Sequence, residues 1–279
     1  KPIIYEFDDL LTDHSPDNPH RELSTLCAPF VSALLAKADG VTVSTDLLAS
    51  ALLPRKGTVH VLPNLLDEKL WAAPPASRPT GAPVIIGYAG TPRHEADLAP
   101  IEEALERIAR MYGHRVAFRF FGCATERIRK LPGYTFIPFT GNYSEYAATL
   151  QNSGIDIGLV PLEDNRFNRC KSNIKWLEYS ACGIAGIYAD LPPYRSCVKE
   201  GETGLLIAGY DVDAWVAAIE SLIDNPARRH AMALAARTEV LANYTLKSRG
   251  HLFLDTWRRI AGRADTTAKE QQMPISPQP

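Results

Sequence analysis

Cysteine is scarce and follows no pairing pattern. The five residues Cys27, Cys123, Cys170, Cys182 and Cys197 are widely spaced and form no CxxC pair. An odd, scattered set argues against a disulfide framework or a structural zinc site and fits a reducing compartment. No stretch of about 18 consecutive apolar residues occurs, so no membrane-spanning helix is expected. Neither sign of charge is in excess: 30 Lys and Arg against 32 Asp and Glu give a formal net charge of −2. A general nucleic-acid binder needs a basic face to displace counterions, so that class is disfavoured. The opening KPIIYEFDDLL lacks a basic segment followed by an apolar one, so no secretory signal is read there and a cytoplasmic location is expected. The loops GxxxxGK[ST], GxSxG and GxGxxG and the pair HExxH are missing. The absence of GxxxxGK[ST], GxSxG and HExxH disfavours the corresponding ATPase, hydrolase and zinc-enzyme classes.

What is present is an ordinary globular composition, 46% hydrophobic over 279 residues, enough for about two domains. Short apolar runs alternate with amphipathic stretches. PIIYEF (2–7), GVTVST (40–45) and TVHVLPN (58–64) read as strands. Helices are expected over 21–37, with Leu23, Leu26, Phe30 and Leu34 at helical spacing, and over 46–53. AAPPASRPTGAP (72–83) has a linker composition. Beyond it, strands are expected at 83–90, 116–122, 134–139, 154–162, 184–190 and 203–208. Helices are expected at 98–111, 143–151, 172–182, 211–223, 227–242 and 246–260. Strands alternating with helices of this length predict parallel βαβ units and a doubly wound α/β sheet. The expected division is a first domain over 1–73, a linker over 74–83 and a second domain over 84–243. A returning helix over 244–262, with Leu252, Leu254 and Trp257 as its apolar contacts, and a disordered tail over 263–279 complete it.

In such sheets ligands bind beyond the carboxyl ends of the strands. The stretch VPLEDNRFNRCKSNIKWLEYSACG (160–183) is the most informative of these places. Ser172 or Asn173 would cap the following helix. The third helical position is Lys175 rather than an acid, so the helix start holds no anion of its own. With Lys171 before it and Lys175 inside it, that start suits a phosphate or diphosphate. Glu178 shares a face with Ile174, Leu177 and Ala181. Its carboxylate can be satisfied by Lys175, by backbone amides or by a ribose diol. The bland alternative is a solvated Lys–Glu pair behind an ordinary cap.

A second place is GYAGTPRHEAD (87–97). Gly90 and Thr91 follow a buried strand, and Arg93 and His94 add donors near its mouth. The alternative there is a plain βα turn. In EFDD (6–9), Asp8 and Asp9 point to opposite faces while the strand lasts, so a metal site is not expected.

The order of GYAGTPRHEADL, FRFFG, GIDIGLVPLEDN, KSNIKWLEYSACGIAGIYAD and GETGLLI before paired C-terminal helices resembles the C-terminal half of GT-B glycosyltransferases of group 1. The similarity is greatest to glycosyltransferase family 4. IIYEFDDLL, ADGVTVSTDLLASAL and VHVLPNLLDEKLW are similar to the end of the N-terminal domain of those enzymes. The resemblance implies two Rossmann-like domains, the first incomplete, since about three strands precede the linker where a full half has about six. It implies that Glu178, the second Glu of the family's Glu-x7-Glu signature, holds the donor ribose. Ser172 to Ile174 then receive the diphosphate, Gly90 and Thr91 match the first glycine loop, and Lys171 and Lys175 match basic positions of a subgroup. The first Glu of the signature falls at Cys170, and Asp8 falls where many members carry a His, so no catalytic residue is assigned.

The expected function is therefore transfer of a sugar from a nucleoside diphosphate sugar to a glycan or lipid-linked acceptor, within polysaccharide biosynthesis, with retention implied by the resemblance. No cofactor besides the donor substrate and no metal is expected. A lipid-linked acceptor would bring the chain to the inner face of the cell membrane. The alternatives are a nucleotide-sugar epimerase on the same fold and a non-catalytic nucleotide-sugar-binding fragment.

Overall fold

The computed structural model describes residues 2–16, 18, 20–54, 58–73, 78, 79 and 81–262. The tail beyond 262 and residues 74–77 and 80 of the Ala/Pro-rich stretch lie outside the described residues. The chain divides into two compact units, 1–63 with the chain from Gly250 on, and Asn64–Arg249.

The first unit carries β1 (Ile4–Phe7), α1 (Arg21–Lys37), β2 (Gly40–Val43), α2 (Asp46–Leu52) and β3 (Val59–Val61). The strands form one parallel sheet in the order β1-β2-β3, with Tyr5 opposite Val41 and Thr42 opposite His60. The expected apolar stripe of α1 is its outer face. Leu26 and Phe30 are 71% and 69% exposed, and the helix buries Ser24, Val31 and Leu35 instead.

The second unit begins before the Ala/Pro-rich stretch, for a physical reason. Leu66 bridges Thr245, and the short helix α3 (Glu68–Trp71) buries Trp71 completely in the core of this unit. There follow β4 (Val84–Ala89), α4 (Glu95–Leu98), α5 (Glu102–Tyr112), β5 (Val116–Phe121), α6 (Glu126–Arg129), β6 (Tyr134–Ile137) and α7 (Tyr143–Gln151). Next come β7 (Ile157–Val160), α8 (Arg166–Arg169), α9 (Ile174–Ala181), β8 (Ala185–Ala189), α10 (Pro192–Arg195), β9 (Leu205–Ile207), α11 (Val212–Ile223), α12 (Pro226–Asn243) and α13 (Leu246–Ile260). The division by compactness passes through α13 between Arg249 and Gly250. Its inward residues are Thr256 and Ile260, the latter against Gly40. The expected contacts Leu252, Leu254 and Trp257 are exposed.

The six strands of this unit are parallel and ordered β6-β5-β4-β7-β8-β9. Side chains alternate across the sheet, and both faces are covered. Ile86, Tyr88, Phe118 and Phe120 pack one face against α5 and α11. Ile85, Ala89, Phe121 and Val160 pack the other with Trp176, Leu177 and Tyr179 of α9. This double burial is why the strands read as nearly continuous apolar runs.

Candidate functional site

The chain runs outward from β4 to β6, returns to β7 beside β4, and runs out the other way to β9. The order reverses between β4 and β7, and open α/β sheets bind ligands at the carboxyl side of such a reversal. Two loops meet there. The first follows β4. Gly90 donates its N–H to the carbonyl of Phe121 at 3.0 Å, and a Cβ on Gly90 would come within 2.5 Å of the Tyr88 ring. Gly122 (φ +83°) leaves no room either, since a Cβ there would overlap the Gly90 carbonyl. Thr91 is exposed, and the side chain of Arg93 lies outside the described residues. His94 closes the turn with Nδ1 2.8 Å from Oδ2 of the buried Asp97.

The second loop follows β7 and is built by its asparagines. Asn165 caps α8 by accepting the Asn168 N–H at 2.8 Å, and Asn168 donates to the Glu163 carbonyl at 2.9 Å. Asp97 joins the two loops, for its Oδ1 accepts the N–H of Glu163 at 3.3 Å. Cys170, at the end of α8, is buried.

The loop leads into α9. Lys171 lies over the Phe167 ring at 5.3 Å. Ser172 is buried, and its Oγ accepts from Nδ2 of Asn64 at 2.8 Å. Asn173 precedes the helix without capping it through its side chain, and no acid occupies the first turn. The positive end of the helix dipole is thus left without a neutralising group of its own. Tyr179 pins α9 to the end of β4, because its Oη accepts the Ala89 N–H at 2.9 Å.

Glu178 is 3% exposed. Its Oε2 accepts from Tyr146 Oη at 2.7 Å and from Lys175 Nζ at 3.3 Å, while Lys175 also reaches Tyr146 Oη at 3.2 Å. The partner anticipated at i−3 is therefore present, and a tyrosine from α7 joins it. Both bonds fall on Oε2, which leaves Oε1 as the second acceptor of this carboxylate. Burial first, and then the Glu178 charge, hold the Tyr146 hydroxyl protonated far above the ordinary tyrosine range. Its neighbour Tyr143 is pushed up to about 12 by the same two causes in the same order. Tyr143 stacks on Tyr146 with ring centroids 6.1 Å apart and accepts from Trp71 Nε1 at 3.2 Å.

Cys123, after Gly122, is buried in the core on the α5 and α11 face of the sheet. Burial pushes its thiol up to about 12. The charges of Glu95 and Asp97 add to the rise, while Lys175 and the His94 N–H oppose it. Lys175, Ser172, Asn173 and Glu178 thus share one helix and its approach, and Tyr179 ties that helix to the strand leading to Gly90 and Thr91. Asp97, Tyr143, Tyr146 and Trp71 were not identified from sequence. The Tyr143–Tyr146 spacing of three along one helix was a usable signal, and so was the His94–Asp97 spacing. Among the described residues, no group of three or more His, Cys, Asp or Glu is arranged to hold a metal ion. Among the same residues, no helix is long and apolar enough to cross a membrane.

A glycosyl transferase-like family model matches residues 93–255, more than half of the chain. A GDP-mannose-dependent α-(1-6)-phosphatidylinositol monomannoside mannosyltransferase of Mycolicibacterium smegmatis is 36% identical over 77 residues, 28% of this chain and 20% of that protein. A D-inositol 3-phosphate glycosyltransferase of Rhodococcus erythropolis is 33% identical over 85 residues, 30% of this chain and 19% of that protein. The match therefore spans about a fifth of the length of these curated relatives. Among solved structures, Anabaena HepE in complex with UDP and glucose superposes with a TM-score of 0.70 at 14% identity, covering 92% of this chain and 71% of that one. By its matching family model, its parallel sheet order and this structural likeness, the chain belongs to the group 1 glycosyltransferases and has their GT-B fold.

Proposed function

We propose that the chain binds a nucleoside diphosphate sugar at the carboxyl ends of β4 and β7 and takes part in transferring its sugar to a glycan or lipid-linked acceptor. The start of α9 carries this proposal. Its first turn holds no acid, Lys175 stands in it, and Glu178 keeps Oε1 for a further donor one turn on. A diphosphate at the amides and a ribose hydroxyl on Oε1 match that layout. Lys171, Ser172 and Asn173 border the diphosphate, and Gly90, Thr91 and Arg93 border it from the first loop.

Charge grows on the diphosphate as the sugar departs, and groups fixed beforehand to meet that charge stabilise it at little reorganisation cost. In this proposal the positive charge comes from the protein, and the anomeric configuration is retained as the family resemblance implies. Family membership favours transfer over epimerisation or binding alone. The relative that depends on GDP-mannose and the neighbour holding UDP make GDP and UDP the probes to use. Calorimetry with both should show binding of one of them, weakened in Glu178→Ala and in Lys175→Ala. Unchanged affinity in both variants would remove the donor site from this helix.

A further inference from the structure

The second unit carries a cavity of about 540 Å³ at the amino ends of its strands, the edge of the sheet opposite to Gly90, Thr91 and the start of α9. That volume suits a small molecule. The cavity is lined by Gly154 to Asp156, which lead into β7, and by Gly183 and Ile184, which lead into β8. A stripe of α12 makes one wall, since His230, Ala233, Leu234 and Arg237 recur at helical spacing and all line it. Buried Leu150, Ile155 and Ile184 make it apolar within. Its charge is out of balance. Three carbonyls at this edge each take an arginine: Ser153 accepts from Arg119, Gly154 from Arg78 Nη1 at 3.1 Å, and Ala181, at the end of α9, from Arg237 Nε at 3.1 Å. Asp156 is the one acid among the described lining residues, and its Oδ2 is taken by Arg78 and by the Ile85 N–H. Arg237 gives Nη2 to the carbonyls of Ala72 and Ala73 at 2.9 and 3.0 Å. Among the described residues it meets no carboxylate, and its Nη1 makes no hydrogen bond. A guanidinium does not lose its proton, so a fixed positive charge with two unspent N–H bonds stands beside an apolar wall.

We infer that this cavity is a second binding site, for a small organic carboxylate that sets its anionic head on Arg237 and its apolar body against Leu150, Ile155 and Ile184. One guanidinium without an acid meets one negative charge, which suits a carboxylate better than a doubly charged phosphate ester. The apolar walls add burial that a bare anion would not gain. The lining comes from strand ends and packed helices of one compact unit, so the site is formed before the ligand arrives. It lies at the other end of α9 from Lys175, and the inference does not depend on the donor function proposed above.

Amide-resolved NMR titrations of the whole chain with sodium hexanoate, sodium acetate and hexanamide test it. Hexanoate should bind at about 1 mM or tighter and shift the amides of Gly183, Ile184 and Ala233. Acetate, which lacks the apolar body, and hexanamide, which lacks the charge, should each bind about 10-fold or more weakly. Leu234 is exposed and stands three residues before Arg237 on α12, so Leu234→Glu offers Arg237 an internal carboxylate without removing any of its bonds. That variant should weaken hexanoate by about 10-fold or more at a wild-type melting temperature. Leu234→Lys, which loses the same side chain, should keep the binding, and so should Lys175→Ala. Equal losses in the two Leu234 variants would show that the charge of Arg237 plays no part and would overturn the inference. A loss in Lys175→Ala with none in Leu234→Glu would move the anion to the start of α9 and overturn it as well. Hexanoate that fails to bind the wild type, or binds no better than acetate, would leave Arg237 as a packing residue alone.

Discussion

Asn64 donates its side-chain amide to Ser172 across 2.8 Å, joining the residue after Pro63 to the approach of α9. The bond links two residues 108 positions apart and holds the serine hydroxyl as an acceptor. The Ser172 proton is thereby directed elsewhere.

Removing that amide should loosen the approach to α9. Asn64→Ala is expected to weaken nucleoside diphosphate binding by about 3- to 10-fold, the range of one neutral hydrogen bond. Calorimetry on the folded variant measures it. Wild-type affinity would show that the Ser172 geometry is held by other means.

Tyr146→Phe removes one of the two bonds to Oε2 of Glu178 and leaves the carboxylate to Lys175 alone. The Glu178 carboxylate is buried, so an acceptor that loses its donor costs about 1–3 kcal/mol. Urea denaturation should show a loss in that range with an unchanged slope. A loss well under 1 kcal/mol would mean that water replaces the hydroxyl.

The two glycines at the ends of β4 and β5 should differ in what they tolerate. Gly90→Ala meets the Tyr88 ring, which can shift, and is expected to cost about 1–3 kcal/mol as overpacking. Gly122→Ala combines a left-handed backbone with overlap on a carbonyl oxygen that cannot move aside, and should cost more. Equilibrium unfolding of the two variants ranks them. The reverse order would contradict the close approach of the two loops.

Alkaline pH should destabilise the fold in part through Cys123. Its thiol titrates near 9 when exposed and is pushed up to about 12 by burial in the folded chain. Between those values the unfolded chain has lost a proton that the folded chain keeps. The thiol's contribution is therefore fully present below pH 9 and is lost as pH rises toward 12, by about 1.4 kcal/mol per pH unit at most. Denaturation midpoints followed above pH 9 should fall less steeply in Cys123→Ala than in the wild type. Parallel curves would show that this thiol is not the group responsible.

Much of the architecture was legible because the periodicities were long and clean. The strands of the second unit are buried on both faces, so they stood out as apolar runs, and α9 and its Lys175–Glu178 pair followed from helical spacing. Four-residue helices such as α3, α6, α8 and α10 are too short to leave a periodic signal. On α1 the period marked the helix correctly, while the stripe of Leu26 and Phe30 faces outward. Ser172 was noted from sequence, yet its bond to Asn64 depends on packing between distant segments. The same holds for Tyr146, which reaches Glu178 only because α7 and α9 cover one face of the sheet. His94 was singled out, but its partner three residues on was not. An aspartate in a helix start looks like an ordinary dipole partner until its burial is known.

The bridge between Leu66 and Thr245 has a consequence for engineering. Leu66 donates to the Tyr244 carbonyl and accepts from the Leu246 N–H, both at 2.9 Å, so the strands of chain entering and leaving the second unit run side by side. Its ends could be spliced through a connector of a few residues and new termini opened in an exposed loop, giving a circularly permuted module in which nucleotide affinity is read without the rest of the polypeptide.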